Sequence, residues 1–97
     1  MIEVSRSDSG ITISGHAHYA EPGKDIVCAG VSALVQTLIQ SIEELTADKI
    51  QYVMSPGTAD IKFRDLSEHA QLLVGSFFVG VEMIASEYPD NVKVTKH

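Results

Sequence analysis

The sequence has one cysteine, no tryptophan and only seven basic residues against 13 acidic ones. A lone cysteine cannot form an internal disulfide, which favours a reducing compartment in which the thiol stays free. The net charge of −6 disfavours direct binding to nucleic acid and mildly favours a cationic partner. Because aromatic residues are also few, the core must be built mainly from aliphatic side chains.

Long apolar runs are scarce as well. The first ten residues, MIEVSRSDSG, have neither the basic nor the apolar segment of a secretory signal peptide. The most apolar stretch, 72–85, contains Glu82 and is shorter than the ~20 residues that a bilayer span needs. We therefore expect a cytoplasmic protein without membrane contact, and 97 residues leave room for one domain only.

Hydrophobic periodicity predicts the order of the elements. Alternating apolar and polar residues predict strands near 2–5, 11–15, 50–54, 59–64 and 92–94, and turn signals at 8–10 and 56–57 join the first four into two hairpins. Periods of 3.6 residues predict one helix after an Asp25 cap, ending at 46–49. A second helix runs from an Asp65 or Ser67 cap to about Tyr88. The order ββαββαβ indicates an α+β domain with one sheet and both helices packed on one face.

The second helix has more apolar surface than one packed face requires. The first helix has a single stripe, made of Val27, Val31, Leu34, Val35, Leu38, Ile42 and Leu45. The second has a stripe of Leu66, Ala70, Leu73, Phe77, Val81 and Ile84, with Leu72, Val74, Phe78 and Met83 beside it. This excess, on a domain with a small core, predicts a homodimer. Gly75 and Gly80 inside the second helix indicate either close packing against the first helix or part of a partner contact.

The residues with useful chemistry are concentrated in 15–32, GHAHYAEPGKDIVCAGVS. Cys28 follows the predicted cap by three positions and so falls in the first helical turn, where free amides and the helix dipole stabilise an anion. His16 is expected at the end of the second strand, on its solvent face, where it could accept the thiol proton. The amides of Cys28, Ala29 or their neighbours are candidates for an oxyanion hole.

Two further residues of this stretch could support the chemistry. Asp25 is a helix cap by its position, although its carboxylate could also orient His16 as a third catalytic member. Ser32 is one helical turn beyond Cys28 on the same face, and it could hydrogen-bond a thiolate or a substrate.

Other interpretations of the same residues remain open. Cys28 could be a small buried hydrophobic residue with no chemical role. His16, His18 and Cys28 could together bind a metal ion, but a structural zinc site needs four ligands, and His69 and His97 are distant in sequence. We therefore expect no metal and no cofactor, with His18 and His69 at the surface.

The motif G-H-A followed by G-x-D-I-V-C-A-G-V-S, together with the order of the elements, resembles the ribosomal-processing cysteine proteases of Firmicutes and related bacteria. The resemblance spans nearly the whole chain, so residues 1–97 would form one cysteine protease domain. It implies a cytoplasmic, homodimeric endopeptidase without a cofactor. Such an enzyme removes a short N-terminal extension from a large-subunit ribosomal protein, cutting after an aromatic residue.

The resemblance also implies residue roles. His16 would be the general acid and base, Cys28 the nucleophile, and Asp25 and Ser32 supporting residues. The loop 17–24 between histidine and cysteine is mobile in the family, and we expect it to act here as a lid. The alternative function is a non-catalytic, ribosome-associated binding module in which Cys28 is only packed.

Overall fold

The computed structural model describes residues 1–96, so the expectation that His97 is a terminal residue without a role falls outside the described residues. The elements are β1 (Ile2–Ser7), β2 (Gly10–Ser14), α1 (Ile26–Leu45), β3 (Gln51–Ser55), β4 (Thr58–Lys62), α2 (Glu68–Glu87) and β5 (Val92–Lys96). The predicted order ββαββαβ is confirmed. So are the turns between β1 and β2 and between β3 and β4, which each join a hairpin.

The five strands form one sheet in the order β3-β4-β2-β1-β5. Three neighbouring pairs are antiparallel, and β5 lies parallel to β1, because α2 carries the chain back across the sheet before β5 begins. The register aligns Val4 with Ile13 and Ile13 with Ala59, so the apolar residues of neighbouring strands share one face. The second hairpin therefore lies against β2, the strand that leads to His16.

The core lies between this apolar face of the sheet and the two helices. The sheet contributes Ile2, Val4, Ile11, Ile13, Ala59, Ile61 and Val92; α1 contributes Val27, Val31, Val35, Leu38, Ile39 and Ile42; and α2 contributes Val74, Phe77, Phe78 and Val81. The opposite face of the sheet is polar and exposed in its central strands. The prediction of an α+β domain with both helices on one face is thus confirmed.

Close packing between the helices explains one of the two interior glycines of α2. A Cβ at Gly80 would lie 3.0 Å from two methyl carbons of Leu34 on α1, whereas a Cβ at Gly75 would meet nothing within 4 Å. Packing against the first helix, one of the two interpretations of these glycines, therefore applies to Gly80. Gly75 has open space, and no contact explains it.

One predicted burial pattern is wrong in part, and the exposure of another element was not predicted. Leu45 was expected in the buried stripe of α1 but is 70% exposed, because it is the last helical residue and the buried stripe ends at Ile42; Ile39 is buried instead. Strand β3 alternates as predicted, since Tyr52 and Met54 pair with Ile61 and Ala59 on the core face and Val53 lies on the other, but its position at the edge was not anticipated. Every residue of β3 is exposed, because this strand lies at the edge of the sheet with a neighbour on one side only.

Each helix has 20 residues and enough apolar composition to pass a simple test for a membrane span. The stretch 72–85 was expected to be too short to span a bilayer. The complete helix α2, of which it is a part, is longer and reaches that length. In the fold both helices have an amphipathic pattern with one face in the core, and core helices pass the same test. Length and composition are thus weak evidence for a span in this chain.

Candidate active site

Asp25 begins α1 as its N-cap and holds the loop before it at the same time. Its Oδ1 accepts hydrogen bonds from the amides of Val27 at 3.0 Å and Cys28 at 2.9 Å. Its Oδ2 accepts from the amides of Tyr19 at 3.0 Å and Ala20 at 3.3 Å. The side chain is 9% exposed, and the hydrogen bond from the Cys28 amide is the largest cause that lowers the pKa of the carboxyl, against the opposing effect of burial.

The capping role of Asp25 is therefore confirmed, and the second possible role has no geometric support. Within residues 1–96, the carboxylate of Asp25 accepts four hydrogen bonds. All four come from backbone amides, and none comes from the imidazole of His16. The carboxylate supports the site by fixing both the start of the helix that carries Cys28 and the backbone at residues 19–20.

Cys28 is half-buried in the first turn of α1, and its Sγ accepts a hydrogen bond of 3.3 Å from the amide of Ala17. Two of the amides considered for an oxyanion hole, those of Cys28 and Ala29, already have acceptors in the structure. The Cys28 amide donates to the carboxylate of Asp25, and the Ala29 amide donates to the Asp25 carbonyl at 3.1 Å. Both amides therefore donate to Asp25. The backbone N–H that reaches the sulfur is that of Ala17, which lies in the loop and not in the helix.

His16 lies just beyond β2 and is exposed, as the alternation predicts. Its imidazole lies against Gly57 in the turn between β3 and β4, where a Cβ would be only 2.8 Å from Nε2. The Gly57 carbonyl also accepts a 2.8 Å hydrogen bond from the amide of Gly15, next to His16. Sequence analysis missed Gly57 as a site residue; its turn signal was visible, but its position beside the histidine depends on the pairing of β4 with β2.

The structure brings His16, Cys28 and Ser32 together around two cavities that all three line. The larger cavity, about 590 Å³, is walled by the loop 20–26 and is mostly apolar. The smaller one, about 210 Å³, is walled by the sheet and by the hairpin of β3 and β4. Within the described part of the chain, no hydrogen bond joins the imidazole of His16 to Sγ of Cys28. The sulfur accepts its hydrogen bond from the amide of Ala17. The two side chains nevertheless face the same space.

The predicted lid, 17–24, has an anchored half and a free half. Ala17 is 1% exposed, and its carbonyl accepts a hydrogen bond of 2.9 Å from the side-chain amide of Asn91. The ring of Tyr19 packs edge-on against Tyr88, with 5.2 Å between the centroids. The residues 21–24 are all exposed, and their one backbone bond joins Lys24 to Glu21. If a lid moves, the segment 21–24 is the part that is able to do so.

The histidines do not form a metal site with the cysteine among residues 1–96. The rings of His16 and His18 are 6.1 Å apart, but no group of three or more potential ligands comes together in this part of the chain. His18 and His69 are exposed, as expected.

A half-buried thiol at a helix start, an exposed imidazole and two cavities between them are the parts of a cysteine hydrolase. The family model described as cysteine protease Prp matches residues 1–93, and the chain belongs to this family. The resemblance seen in the sequence is thus confirmed, and the protein is a cysteine protease.

Relatives and solved structures agree with this assignment. The chain is 34% identical to the ribosomal processing cysteine protease Prp of Bacillus subtilis, over 91% of this chain and 88% of that protein. It is 31% identical to the protein of the same name from Staphylococcus aureus, over 96% and 94%. The crystal structure of the S. aureus protease with a covalently linked product peptide superposes with a TM-score of 0.90, at 27% identity over 99% of this chain and 97% of that one. A second S. aureus structure holds a substrate peptide and superposes with a TM-score of 0.83, at 26% identity and the same coverage.

Proposed function

We propose that this protein is an endopeptidase that removes the N-terminal extension of a large-subunit ribosomal protein during ribosome assembly, by acyl transfer through Cys28 and His16. The observation that carries the proposal is that both side chains line the same two cavities, one on each side of the thiol. A peptide laid across the thiol could place the residues before and after its scissile bond in these cavities. The relatives named as ribosomal processing proteases support the choice of substrate.

In the proposed reaction, Cys28 first transfers its thiol proton to the imidazole of His16. The sulfur attacks the scissile carbonyl carbon, and the carbonyl oxygen takes the negative charge. Collapse of this intermediate breaks the carbon–nitrogen bond, and the imidazolium gives its proton to the leaving amine. A water molecule then attacks the thioester with His16 as base, which releases the acid product and restores the thiol.

The oxyanion needs a hydrogen-bond donor, and the structure narrows the choice. The amides of Val27, Cys28 and Ala29 all donate to Asp25. The amide of Ala17, which donates to the sulfur at 3.3 Å, is already directed at the reacting centre. We assign it as a donor to the oxyanion. Ser32 lines both cavities and would bind the peptide or the thiolate through its hydroxyl.

Charge and surface support two further parts of the proposal. The net charge of −6 complements a basic ribosomal protein as substrate in the cytoplasm, without direct contact to nucleic acid. On α2, the side chains of Leu72, Val79 and Met83 are 73%, 61% and 66% exposed, and their spacing places them on one helix face. This exposed apolar face supports a homodimer. A purely monomeric protein in sedimentation experiments at micromolar concentration would contradict it.

The function is tested by incubating the extended ribosomal protein with the wild type and with Cys28→Ala, and by following the products by mass spectrometry. The wild type should produce one shortened protein and one short peptide, and Cys28→Ala should produce neither. His16→Ala should also abolish cleavage while it leaves the fold intact, because the imidazole is exposed and contributes nothing to the core. Cleavage by Cys28→Ala at the wild-type rate would refute the mechanism. Membership of a protease family favours this function over the alternative of a non-catalytic binding module.

A further inference from the structure

The edge strand β3 has an apolar face that no other part of residues 1–96 covers. Tyr52 and Met54 pair with Ile61 and Ala59 of β4, which places all four side chains on the helix side of the sheet. The two residues on β4 are buried, at 0% and 4% exposure, whereas Tyr52 and Met54 are each 44% exposed. The core face of the sheet therefore continues outward onto β3 and ends there in an open surface.

This open surface begins at the catalytic thiol. The smaller cavity, about 210 Å³, is lined by Met54 and Ser55 of β3 as well as by His16 and Cys28. Its inner wall is aliphatic and includes Val35 of α1. An apolar side chain placed in this cavity would touch Met54 on one side while its backbone stays next to the sulfur.

The free edge of β3 can also hold a backbone. Two residues, Pro56 and Gly57, connect β3 to β4, so Ser55 and Thr58 flank the turn and face each other. In such a hairpin the flanking pair exchanges its backbone hydrogen bonds inward, and alternate residues therefore direct theirs outward. In β3 these are Tyr52 and Met54. An extended peptide that pairs with their amides and carbonyls would become a sixth strand.

The composition of β3 agrees with an edge that has a partner. Unpaired edge strands usually carry charges or proline that prevent pairing with another chain. The strand reads QYVMS, with no charged residue and no proline. This composition leaves the edge able to pair with another chain, and continuity with the cavity at Cys28 favours the peptide substrate over a second copy of the protein.

We propose that Met54 and the free edge of β3 form a substrate subsite. An apolar residue next to the scissile bond enters the smaller cavity against Met54, and the peptide continues along β3 as an added strand. This inference rests on the proposed function and specifies how the peptide is held. It makes Met54 a specificity-determining residue and leaves the larger cavity, under the loop, for the residue on the other side of the scissile bond.

The test compares Met54→Lys with Val53→Lys, because Val53 is on the same strand but on the opposite face, where it is 71% exposed. Binding of a fluorescent peptide that spans the cleavage site is measured by anisotropy in the Cys28→Ala background, and cleavage is measured with intact Cys28. Met54→Lys should weaken binding and raise KM by about tenfold or more, as for other changes in an apolar pocket. The rate of Cys28 alkylation by iodoacetamide is measured in parallel, because a new cation in the cavity that Cys28 lines changes the reactivity of the thiol as well. Val53→Lys should leave all three measurements at wild-type values.

A second measurement locates the subsite in the substrate. Peptides with glutamate at each position flanking the scissile bond should bind the wild type poorly, and Met54→Lys should restore binding at one position only, through the new opposite charge. Equal effects of Met54→Lys and Val53→Lys, or no restored position, would overturn the subsite. A change in sedimentation with Met54→Lys would show a second copy on β3 and would also overturn it. If the peptide binds but is not cleaved, the proposed function fails while the binding data still decide on the subsite; if the wild type does not bind it, both fail.

Discussion

Replacement of Gly57 by alanine should damage catalysis more than it damages the fold. Gly57 has φ +79°, where a side chain costs about 1–2 kcal/mol, so the free energy of unfolding should fall by about that amount. The new Cβ would lie 2.8 Å from Nε2 of His16, closer than any ordinary contact. The imidazole has to move away by roughly 0.5–1 Å, and misplacement on this scale lowers the rate of an enzyme by about tenfold to a hundredfold.

An asparagine at the same position separates the two effects. Asparagine tolerates a positive φ better than alanine does, so Gly57→Asn should lose less stability. It carries the same Cβ, however, and should displace His16 as far as alanine does. Gly75→Ala, where a new Cβ would meet nothing within 4 Å, should gain stability. Because Gly75 lies on the proposed dimer face with Leu72 and Val79, this variant serves as an activity control only if its sedimentation matches that of the wild type.

The assay is kcat/KM for an extended ribosomal peptide, measured well below the melting temperature of each variant so that the unfolded fraction is negligible. Urea denaturation gives the free energy of unfolding in parallel. We expect the two Gly57 variants to lose similar activity at different stabilities. If activity instead follows stability, so that Gly57→Asn is nearly as active as the wild type, backbone strain is the cause and the contact with His16 has no catalytic importance.

Three further predictions concern the thiol, the cap and the loop. His16→Ala should slow the alkylation of Cys28 by iodoacetamide at neutral pH, because the imidazole is the proposed acceptor of the thiol proton; an unchanged rate would mean that the two residues are not paired. Because the pKa of Asp25 and that of Asp48 are lowered in the folded state from the usual 3.8, their stabilisation is complete above that value and is lost as the pH falls through the lowered pKa values. The urea midpoint should therefore drop as the pH falls below 3.8, and less steeply in Asp25→Asn; equal slopes would contradict the role of the carboxylate. Gly23 has φ +86°, which proline cannot adopt, so Gly23→Pro should distort the segment 21–24 and slow cleavage. Hydrogen exchange in 21–24 of the wild type should be fast until a peptide binds; slow exchange in the free protein would exclude a lid.

The local structure could be predicted from the sequence because its signals are local. Asp25 and Ser67 cap the two helices as their side chains indicate, and Thr46 ends the first helix within the predicted 46–49. Hairpin turns and strand alternation gave β1, β2 and β4 with the correct buried face. The exposure of β3 was not predicted, since alternation describes a strand without showing whether it lies inside a sheet or at its edge.

The candidate site was predictable in its residues but not in its contacts. His16, Cys28, Asp25 and Ser32 lie close together in sequence, and the helix and strand boundaries bring them to one place. The contact between His16 and Gly57 depends on β4 pairing with β2, a sheet order that periodicity does not contain. The sequence also could not show which acceptor the first-turn amides bind. A capping carboxylate and an oxyanion compete for the same N–H donors, and only the structure shows that the carboxylate of Asp25 accepts from them.

One carboxylate connects Cys28 to the loop before the helix. Oδ1 of Asp25 fixes the amide of Cys28, while Oδ2 fixes the amides at 19–20, so the helix start and the loop cannot move independently without loss of hydrogen bonds. The same loop supplies the Ala17 amide that reaches the sulfur. Since that amide is also the proposed oxyanion donor, its position depends on the anchored half of the loop and not on the free segment 21–24. A lid in 21–24 can therefore open and close over a peptide while the donor, the cap and the thiol keep their relative geometry.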